Sequence, residues 1–503
     1  MHRMSHGLRL AALVTAAAWL GGASGAWATG PAIALSPNEN HPNSTVQVLG
    51  NGFSPYAAVD IYFDSTDEAL AIANSAGKFA KIPVPVSAAA LPGTHYISAV
   101  QRSNGEGAQK AFTVNTDWAQ FHFGVQKKGN NPYENVIDTG NAADLDVAWS
   151  AATQNAIFSS PAVASGNVYV GSTDDKLYAF NATTGALLSG WPVTTSNEIY
   201  SSPAVANGVV YVGNTDFNLY AFNATSGALL SGWPVTTGGE ITSSPAVANG
   251  VVYVGSYDDK LYAFNATSGA LLSGWPVTTG GFIESSPAVA NGVVYVGSYD
   301  DKLYAFNATS GALLSGWPVT TGNEIYSSPA VANGVVYVGS DDNKLYAFNA
   351  ITGGLLSGWP VTTGSSIQSS PAVASGAVFV GSADDKLYAF NARSGALLWT
   401  ATTGSFVYSS PAVANGVVYV GSFDDNLYAF NATSGAMLWT ATTGGEIDDL
   451  GPAVANGMVY VGSGDHSLYA YALNGGNDGR YRSKRKPPAI SSLHPDWSLK
   501  PAN

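Results

Sequence analysis

One fourteen-residue phrase, SSPAVANGVVYVGS, constrains this chain more than anything else in it. It spans Ser243 to Ser256 and recurs at Ser285–Ser298, Ser327–Ser340 and Ser409–Ser422. Near-copies begin at Ser159, Ser201, Ser369 and Leu450. The proline of its Pro-Ala-Val core falls at Pro161, Pro203, Pro245, Pro287, Pro329, Pro371, Pro411 and Pro452, in steps of 42 five times, then 40, then 41. A chain that repeats itself at such a period stacks equal units, each burying its apolar face against the next.

Each unit parses into four strands. IYSSPAVA is the first, and Asn-Gly supplies a two-residue hairpin turn in most copies. VVYVGS is the second, turned at Asp-Asp. KLYAFN is the third, turned through ATSG, whose glycine adopts positive φ. ALLSGWPVTT is the fourth. A period in the forties made only of strand and turn predicts a β-propeller. The Trp strand also occurs eight times, at Trp149, Trp191, Trp233, Trp275, Trp317, Trp359, Trp399 and Trp439, but out of step with the prolines. Trp149 precedes the first Pro-Ala-Val, and no Trp strand directly follows the last. A ring of eight blades solves the offset: the Trp149 strand completes the blade begun at Pro452, and closure pairs otherwise open sheet edges. One Trp per blade in the same strand reads as inter-blade packing rather than as a sugar-stacking surface.

Residues 29–115 differ. STVQVLGNGF, AAVDIYF, THYISAV and KAFTV alternate apolar and polar positions between Asn-Gly, Ser-Pro and Pro-Gly turns, which predicts a small β-sandwich. The run from Leu35 to Val114 resembles the Ig-like modules of bacterial secreted proteins, which commonly serve as spacers or adhesive units. The whole is therefore expected to be all-β: signal peptide 1–28, Ig-like sandwich 29–115, eight-bladed propeller 116–475 and a flexible basic tail 476–503.

LYAFNARSGALLWT (Leu387–Thr400) is similar to the repeat of pyrroloquinoline-quinone-type propellers, Ala-x-Asp-x-x-Thr-Gly-x-x-x-Trp. Ala389, Ser394, Gly395 and Trp399 fall on that pattern, with Asn391 where Asp is usual, and Ala429, Asn431, Ser434, Gly435 and Trp439 fit likewise. Five earlier copies carry an inserted Ser-Gly before Trp. DWAQFHFGVQKKGNNPY (Asp117–Tyr133) resembles the segment leading into such propellers. The resemblance implies the fold. Its family includes quinone-dependent dehydrogenases, the lipoprotein of the outer-membrane assembly machinery and non-enzymatic binding propellers, so membership alone does not set a function.

His2, Arg3, His6 and Arg9, the apolar run LRLAALVTAAAWL and Ala26-Trp27-Ala28 read as a secretory signal, with Thr29 as the mature start. Export implies a periplasmic or extracellular location. The chain has no cysteine, hence no disulfide and no lipidated Cys anchor. No later apolar run reaches membrane-spanning length, so no transmembrane segment is expected. Of 20 Lys/Arg, eight lie in signal and tail, which leaves residues 29–475 with 12 bases against 32 acids, a net of −20. That surface disfavours nucleic acid and suits cations or neutral ligands. In the tail, Arg480, Arg482, Lys484, Arg485 and Lys486 are free to swing or to lie on an acidic surface.

Catalysis needs unlike groups converging on one spot, and near-identical copies supply like groups in a ring. Only His466 of the seven histidines lies within a repeat, and in a turn it reads as a solvated surface residue. No metal cluster, Ser-His-Asp arrangement or phosphate-binding Gly loop is visible. The Asn-Ala-Thr triplets, as at Asn181, read as turns. The Asp pairs, Asp174-Asp175, Asp258-Asp259, Asp300-Asp301, Asp341-Asp342, Asp384-Asp385 and Asp424-Asp425, also read as turn chemistry, since calcium wants more oxygens than two. No catalytic residue and no cofactor is expected. The resemblance implies quinone with calcium for its dehydrogenases, but the adjacent-cysteine disulfide found in many of them is absent here, and no stretch matches their calcium and catalytic motifs.

The copies differ in two places: the segment before SSPAV and the residue after Gly-Ser or Gly-Asn. Both lie on one face of a four-stranded blade. The variable rim carries Glu198, Tyr200, Glu240, Tyr257, Phe282, Glu284, Tyr299, Glu324, Tyr326, Phe406, Tyr408, Phe423 and Glu446 as candidate ligand-binding residues. Loop drift is the competing explanation. The expectation is an exported, monomeric, non-catalytic scaffold presenting this rim to a polysaccharide or protein of the envelope or exterior. A quinone-dependent oxidoreductase and an outer-membrane assembly scaffold are the alternatives.

Overall fold

The computed structural model describes residues 30–448, 451–476, 483–484 and 486–493. The proposed signal peptide, residues 1–28, lies outside the described residues.

Residues 30–114 form two facing sheets. Ala32–Ser36, Thr45–Asn51 and Phe79–Pro85 make one; Glu39–Asn40, Gly107–Val114, Gly93–Gln101, Ala58–Phe63 and Thr66–Ile72 make the other, in those spatial orders. Alternation puts Val46, Val48, Val59, Ile61, Ile97 and Phe112 between them, each fully buried. Of the basic tail, Ser483–Lys484 pairs in parallel with Gly93–Thr94. The short helix Ile490–Leu493 buries Leu493 against Tyr62 and Val100 of the same sandwich.

The rest is the ring. Seven blades follow in chain order, their inner strands at Ala162–Ala164, Ala204–Ala206, Ala246–Ala248, Ala288–Ala290, Ala330–Ala332, Ala372–Ala374 and Ala412–Ala414. The eighth takes Ala453–Ala455, Met458–Gly462 and Ser467–Leu473, and its outer strand is Leu145–Ala152, antiparallel to Ser467–Leu473. Blade 8 therefore closes through Trp149, as the offset requires. The seam repeats the other joints. Tyr211 of blade 2 donates its hydroxyl to Ala266 O of blade 3 at 2.8 Å, and Tyr460 of blade 8 donates to Ala182 O of blade 1 at 3.0 Å.

Local chemistry explains each turn. Asn207 and Gly208 have φ of 51° and 75°, the paired positive values of a type I′ hairpin. In the second turn, Asp258 Oδ2 accepts from Tyr262 at 2.6 Å and from Lys260 at 2.9 Å, while Asp259 takes φ of 64°. Burial works to raise the Asp258 pKa, yet these donors bring it below the usual range. Asp341-Asp342 is out of register with the other pairs. Asp342 takes the turn role, with Tyr346 at 2.6 Å, Asn343 carries the positive φ, and Asp341 stands at the rim position of Tyr257. Asn223 Oδ1 accepts from the Thr225 and Ser226 amides at 3.0 and 2.9 Å, the turn role expected of the Asn-Ala-Thr triplet.

Two strands are shorter than the sequence suggests. The first is only Ala-Val-Ala, because the preceding serines bond across the ring instead. The fourth is Val-Thr alone in blades 1 to 5, where the inserted Ser-Gly bulges the chain outward. It runs six residues at Leu397–Thr402 and Met437–Thr442, which lack the insertion. The insertion also changes the Trp setting. Trp399 and Trp439 donate their indole N–H to Ala432 O and Leu145 O at 3.1 and 2.9 Å. Trp191, Trp233, Trp275, Trp317 and Trp359 are buried with no partner for that N–H. All five rings lie edge-on to a second-strand Tyr of their own blade, as Trp191 does to Tyr169 at 5.6 Å.

Candidate functional site

The segment Thr116–Tyr133 lies inside the ring as a plug. It winds around the axis and meets the inner strand of each blade in turn at the Pro-Ala-Val valine. Trp118 bridges Val163; Ala119 O accepts from the Val205 amide; Gln120 Oε1 accepts from Val247. Val125, Gln126, Lys128 and Gly129 carbonyls then accept from Val289, Val331, Val373 and Val413, and Asn131 Nδ2 donates to Val454 O. Inner strands are sheet edges with unpaired N–H groups, and this segment satisfies them. Its own polar groups are thereby buried. His122 Nδ1 and Nε2 lie 3.0 and 2.9 Å from the Lys127 and Pro411 carbonyl oxygens; burial lowers its pKa to about 4, and the neutral ring donates its one N–H to one of the two. Lys127 is 0% exposed, its Nζ 5.2 Å from the centre of the Phe121 ring with no hydrogen-bond partner, and burial lowers its pKa to about 7.

Beyond the plug sits a ring of serines. The Ser202 amide donates to Ser244 Oγ at 2.9 Å, and Ser244, Ser286, Ser328 and Ser370 continue the pattern to Ser410. The Ser-Ser of the repeated phrase is thus an inter-blade fastener. The eighth copy has Gly451 instead, where a Cβ would collide with Ser410 O.

On the far side of this ring opens a funnel of about 330 Å³. The two variable segments of a blade hydrogen-bond to each other there, as the Tyr257 amide does to Glu240 O at 3.0 Å and the Thr215 amide to Glu198 O at 3.2 Å. The lining includes Phe158, Tyr200, Thr242, Glu284, Tyr326, Gln368 and Asp448. These share one repeat position, directly after the fully buried isoleucines Ile199, Ile241, Ile283, Ile325 and Ile367 and their counterparts Ile157 and Ile447. Each isoleucine wedges against the previous blade, where Ile241 Cγ2 occupies the space a Cβ on Gly213 would need. The wedge turns the next side chain toward the axis. Thr215, Glu240, Tyr257 and the floor serines Ser286, Ser328 and Ser370 complete the wall.

Of the thirteen rim residues expected from sequence, five line the funnel: Tyr200, Glu240, Tyr257, Glu284 and Tyr326. Glu198 and Glu324 accept from the Tyr200 and Tyr326 hydroxyls at 3.0 and 3.2 Å. Phe282 stacks on Tyr257 at 5.3 Å, and Tyr299 lies 4.4 Å from Tyr326, ring centre to ring centre. Glu284 Oε2 accepts from Tyr257 at 2.8 Å and also from Tyr299. Burial and this carboxylate push both phenols well above their usual pKa. Burial, followed by Glu198, Glu240 and Asp448, raises that of Tyr200. Phe406, Tyr408 and Phe423 form a separate cluster on blade 7, and Glu446 stands over Gly464. Sequence reasoning missed Phe158, Thr215, Thr242, Gln368 and Asp448. The signal was present: the letter after the constant Ile or Val reads Phe, Tyr, Thr, Glu, Tyr, Gln, Tyr, Asp around the ring, and Thr215 stands in the other variable place, after Gly-Asn.

Solved structures share this architecture. The computationally designed Ika8 protein aligns with TM-score 0.57 at 17% identity, over 64% of this chain and 98% of its own. BamB from Moraxella catarrhalis aligns with 0.56 at 20%, over 65% and 97%. Quinohemoprotein alcohol dehydrogenase from Comamonas testosteroni aligns with 0.62 at 16%, over 74% and 82%. At these identities the likeness is one of fold, which BamB, the designed protein and the dehydrogenase hold in common. A comparison with curated proteins found no match. One family profile, described as outer membrane protein assembly factor BamB, matches at residues 135–231, 216–315, 273–356, 315–407 and 407–489. With the repeat, the closed ring and that match over most of its length, the chain belongs to this PQQ-repeat propeller family.

Proposed function

We propose that the chain is a binding scaffold of the cell envelope, of the assembly-factor kind its family is named for, and that it holds a protein partner at the axial funnel. One observation carries this reading. A ring built from near-identical units varies in two short segments of each copy, and at one repeat position within them seven of the eight side chains line one cavity. Solvent-loop drift does not require the varied residues to meet. A family named for outer-membrane assembly supports an exported location.

The same position gives little support to a dehydrogenase. A quinone that carries carboxylates would face Glu240, Glu284 and Asp448, with no Lys or Arg in the lining. Among the described residues, no three His, Cys, Asp or Glu side chains gather in a way that would hold a metal ion. The residues do not fit the group, and no step is routed through it.

The test is photo-crosslinking in cells, with a photoreactive phenylalanine analogue at Tyr326 in the funnel and at Asn249 in a turn of the opposite face. An adduct of defined mass with an envelope protein, at 326 and not at 249, is expected. No adduct at 326, or equal adducts at both sites, removes the scaffold reading.

A further inference from the structure

We propose that the group seated in the funnel is a cation: the ammonium or guanidinium of a Lys or Arg side chain on the partner protein. The inference rests on the scaffold reading and names the chemistry of its contact.

Three features converge. The lining places four aromatic rings, Phe158, Tyr200, Tyr257 and Tyr326, beside three carboxylates and no basic side chain. Ring faces carry negative potential, and a cation over them gains most when it is also drawn out of water. Glu284 is held in place by two phenols, so its charge is fixed before a ligand arrives and costs little to organise. The cavity of about 330 Å³ is at the small end for ligand sites and suits one or two side chains rather than a folded segment.

The serine ring beneath the funnel is asymmetric at the blades that supply Phe158 and Asp448. Ser160 is 3% exposed and its Oγ has no hydrogen-bond partner. It belongs to the serine ring whose members Ser286, Ser328 and Ser370 line the funnel. The other hydroxyls of the ring accept an amide from the preceding blade. At Ser160 that blade is the eighth, and the Gly451 amide makes no bond to it. Neutral sugars also stack on rings, but they do not call for three carboxylates. Anionic partners are repelled.

Calorimetric titration of the full chain distinguishes these ligands. The probes are the blocked pentapeptides Gly-Gly-Arg-Gly-Gly and Gly-Gly-Lys-Gly-Gly, the citrulline and glutamate versions of the first, and a neutral maltotetraose. The Arg or Lys peptide is expected to bind at least about tenfold more tightly than the citrulline peptide. That preference should weaken with added salt and fall about tenfold in Glu284→Gln and Glu240→Gln. Gln at 284 still accepts from both tyrosines, and circular dichroism checks that each variant folds. Equal binding of the citrulline peptide, or stronger binding of the glutamate peptide or the sugar, overturns the cation assignment. So does the absence of binding by any probe. The crosslink at Tyr326 separates the two readings: if it persists at full yield in Glu240→Gln/Glu284→Gln, the cation assignment fails and the scaffold stands.

Discussion

The Tyr257 hydroxyl donates to Glu284 Oε2 at 2.8 Å across the seam between blades 3 and 4, and Tyr299 donates to the same oxygen from the other side. Neither bond joins residues of one strand pair. Both join letters that vary from copy to copy, so the rim is built as a unit rather than blade by blade.

That sharing makes the two tyrosines interdependent. Tyr257→Phe or Tyr299→Phe alone should cost about 1 kcal/mol, because the other phenol still serves the carboxylate. The double variant leaves Glu284 short of donors and should cost more than the sum of the singles. Urea unfolding of all four proteins checks this; strict additivity would mean the two bonds act separately.

Lys127 and His122 give stability a pH dependence. Both have folded pKa values below their unfolded ones, so the unfolded chain binds more protons in each window and stability rises with pH. For His122 the window runs from about 4 to its ordinary value of 6.5, and for Lys127 from about 7 to 10.5. Lys127→Met should therefore stabilise the protein by several kcal/mol (on the order of 4) below pH 7. The gain should shrink as pH rises and vanish above the unfolded lysine pKa. Denaturation midpoints of both proteins across pH 6 to 11 measure it, and a constant difference would contradict the buried-charge explanation.

The Gly of the Val-Gly-Ser or Val-Gly-Asn step is needed for contact with the next blade. Gly213→Ala drives a Cβ into Ile241. A loss of roughly 1–3 kcal/mol is expected, since a packed joint has no room to give. Gly208→Ala, where nothing lies within 4 Å of the added Cβ, should instead show only the strain of its φ of 75°. Thermal melts of the two variants, each paired with Ile241→Ala, separate the causes: that second change should help the first and leave the other alone.

The two tryptophan settings differ by one hydrogen bond. Trp399→Phe loses the bond to Ala432 O and leaves that carbonyl to find another donor, whereas Trp233→Phe removes an indole N–H that has no partner. The former should cost about 1 kcal/mol more than the latter. Equal losses in chemical denaturation would mean the bond contributes nothing net.

The ring was legible because its contacts are local. Each blade meets only its neighbours, so period, turn residues and the displaced Trp149 strand determine blade number and the place of closure without knowledge of the axis. The face carrying the variable letters was legible for the same reason: strand parity settles which turns share an end. The Asp341-Asp342 pair lies in the second turn as its composition suggests, but the turn recognises position: Asp342 and Asn343 fill the places taken by the two aspartates elsewhere, with positive φ at Asn343. Of the thirteen rim candidates, those on the outer part of the rim, such as Phe406 and Glu446, varied just as visibly as Glu284.

Sequence by itself determined a closed all-β ring with one variable face and a small sandwich before it. Tertiary structure decided which variable letters meet. Seven of the side chains in the funnel wall are turned to the axis by a preceding isoleucine that wedges between blades, and that contact exists only once the ring has closed. Closure likewise buries Lys127 and His122, which in the sequence belong to an ordinary polar stretch. The segment that carries them is met by eight inner strands from elsewhere in the chain, a convergence that no local pattern records.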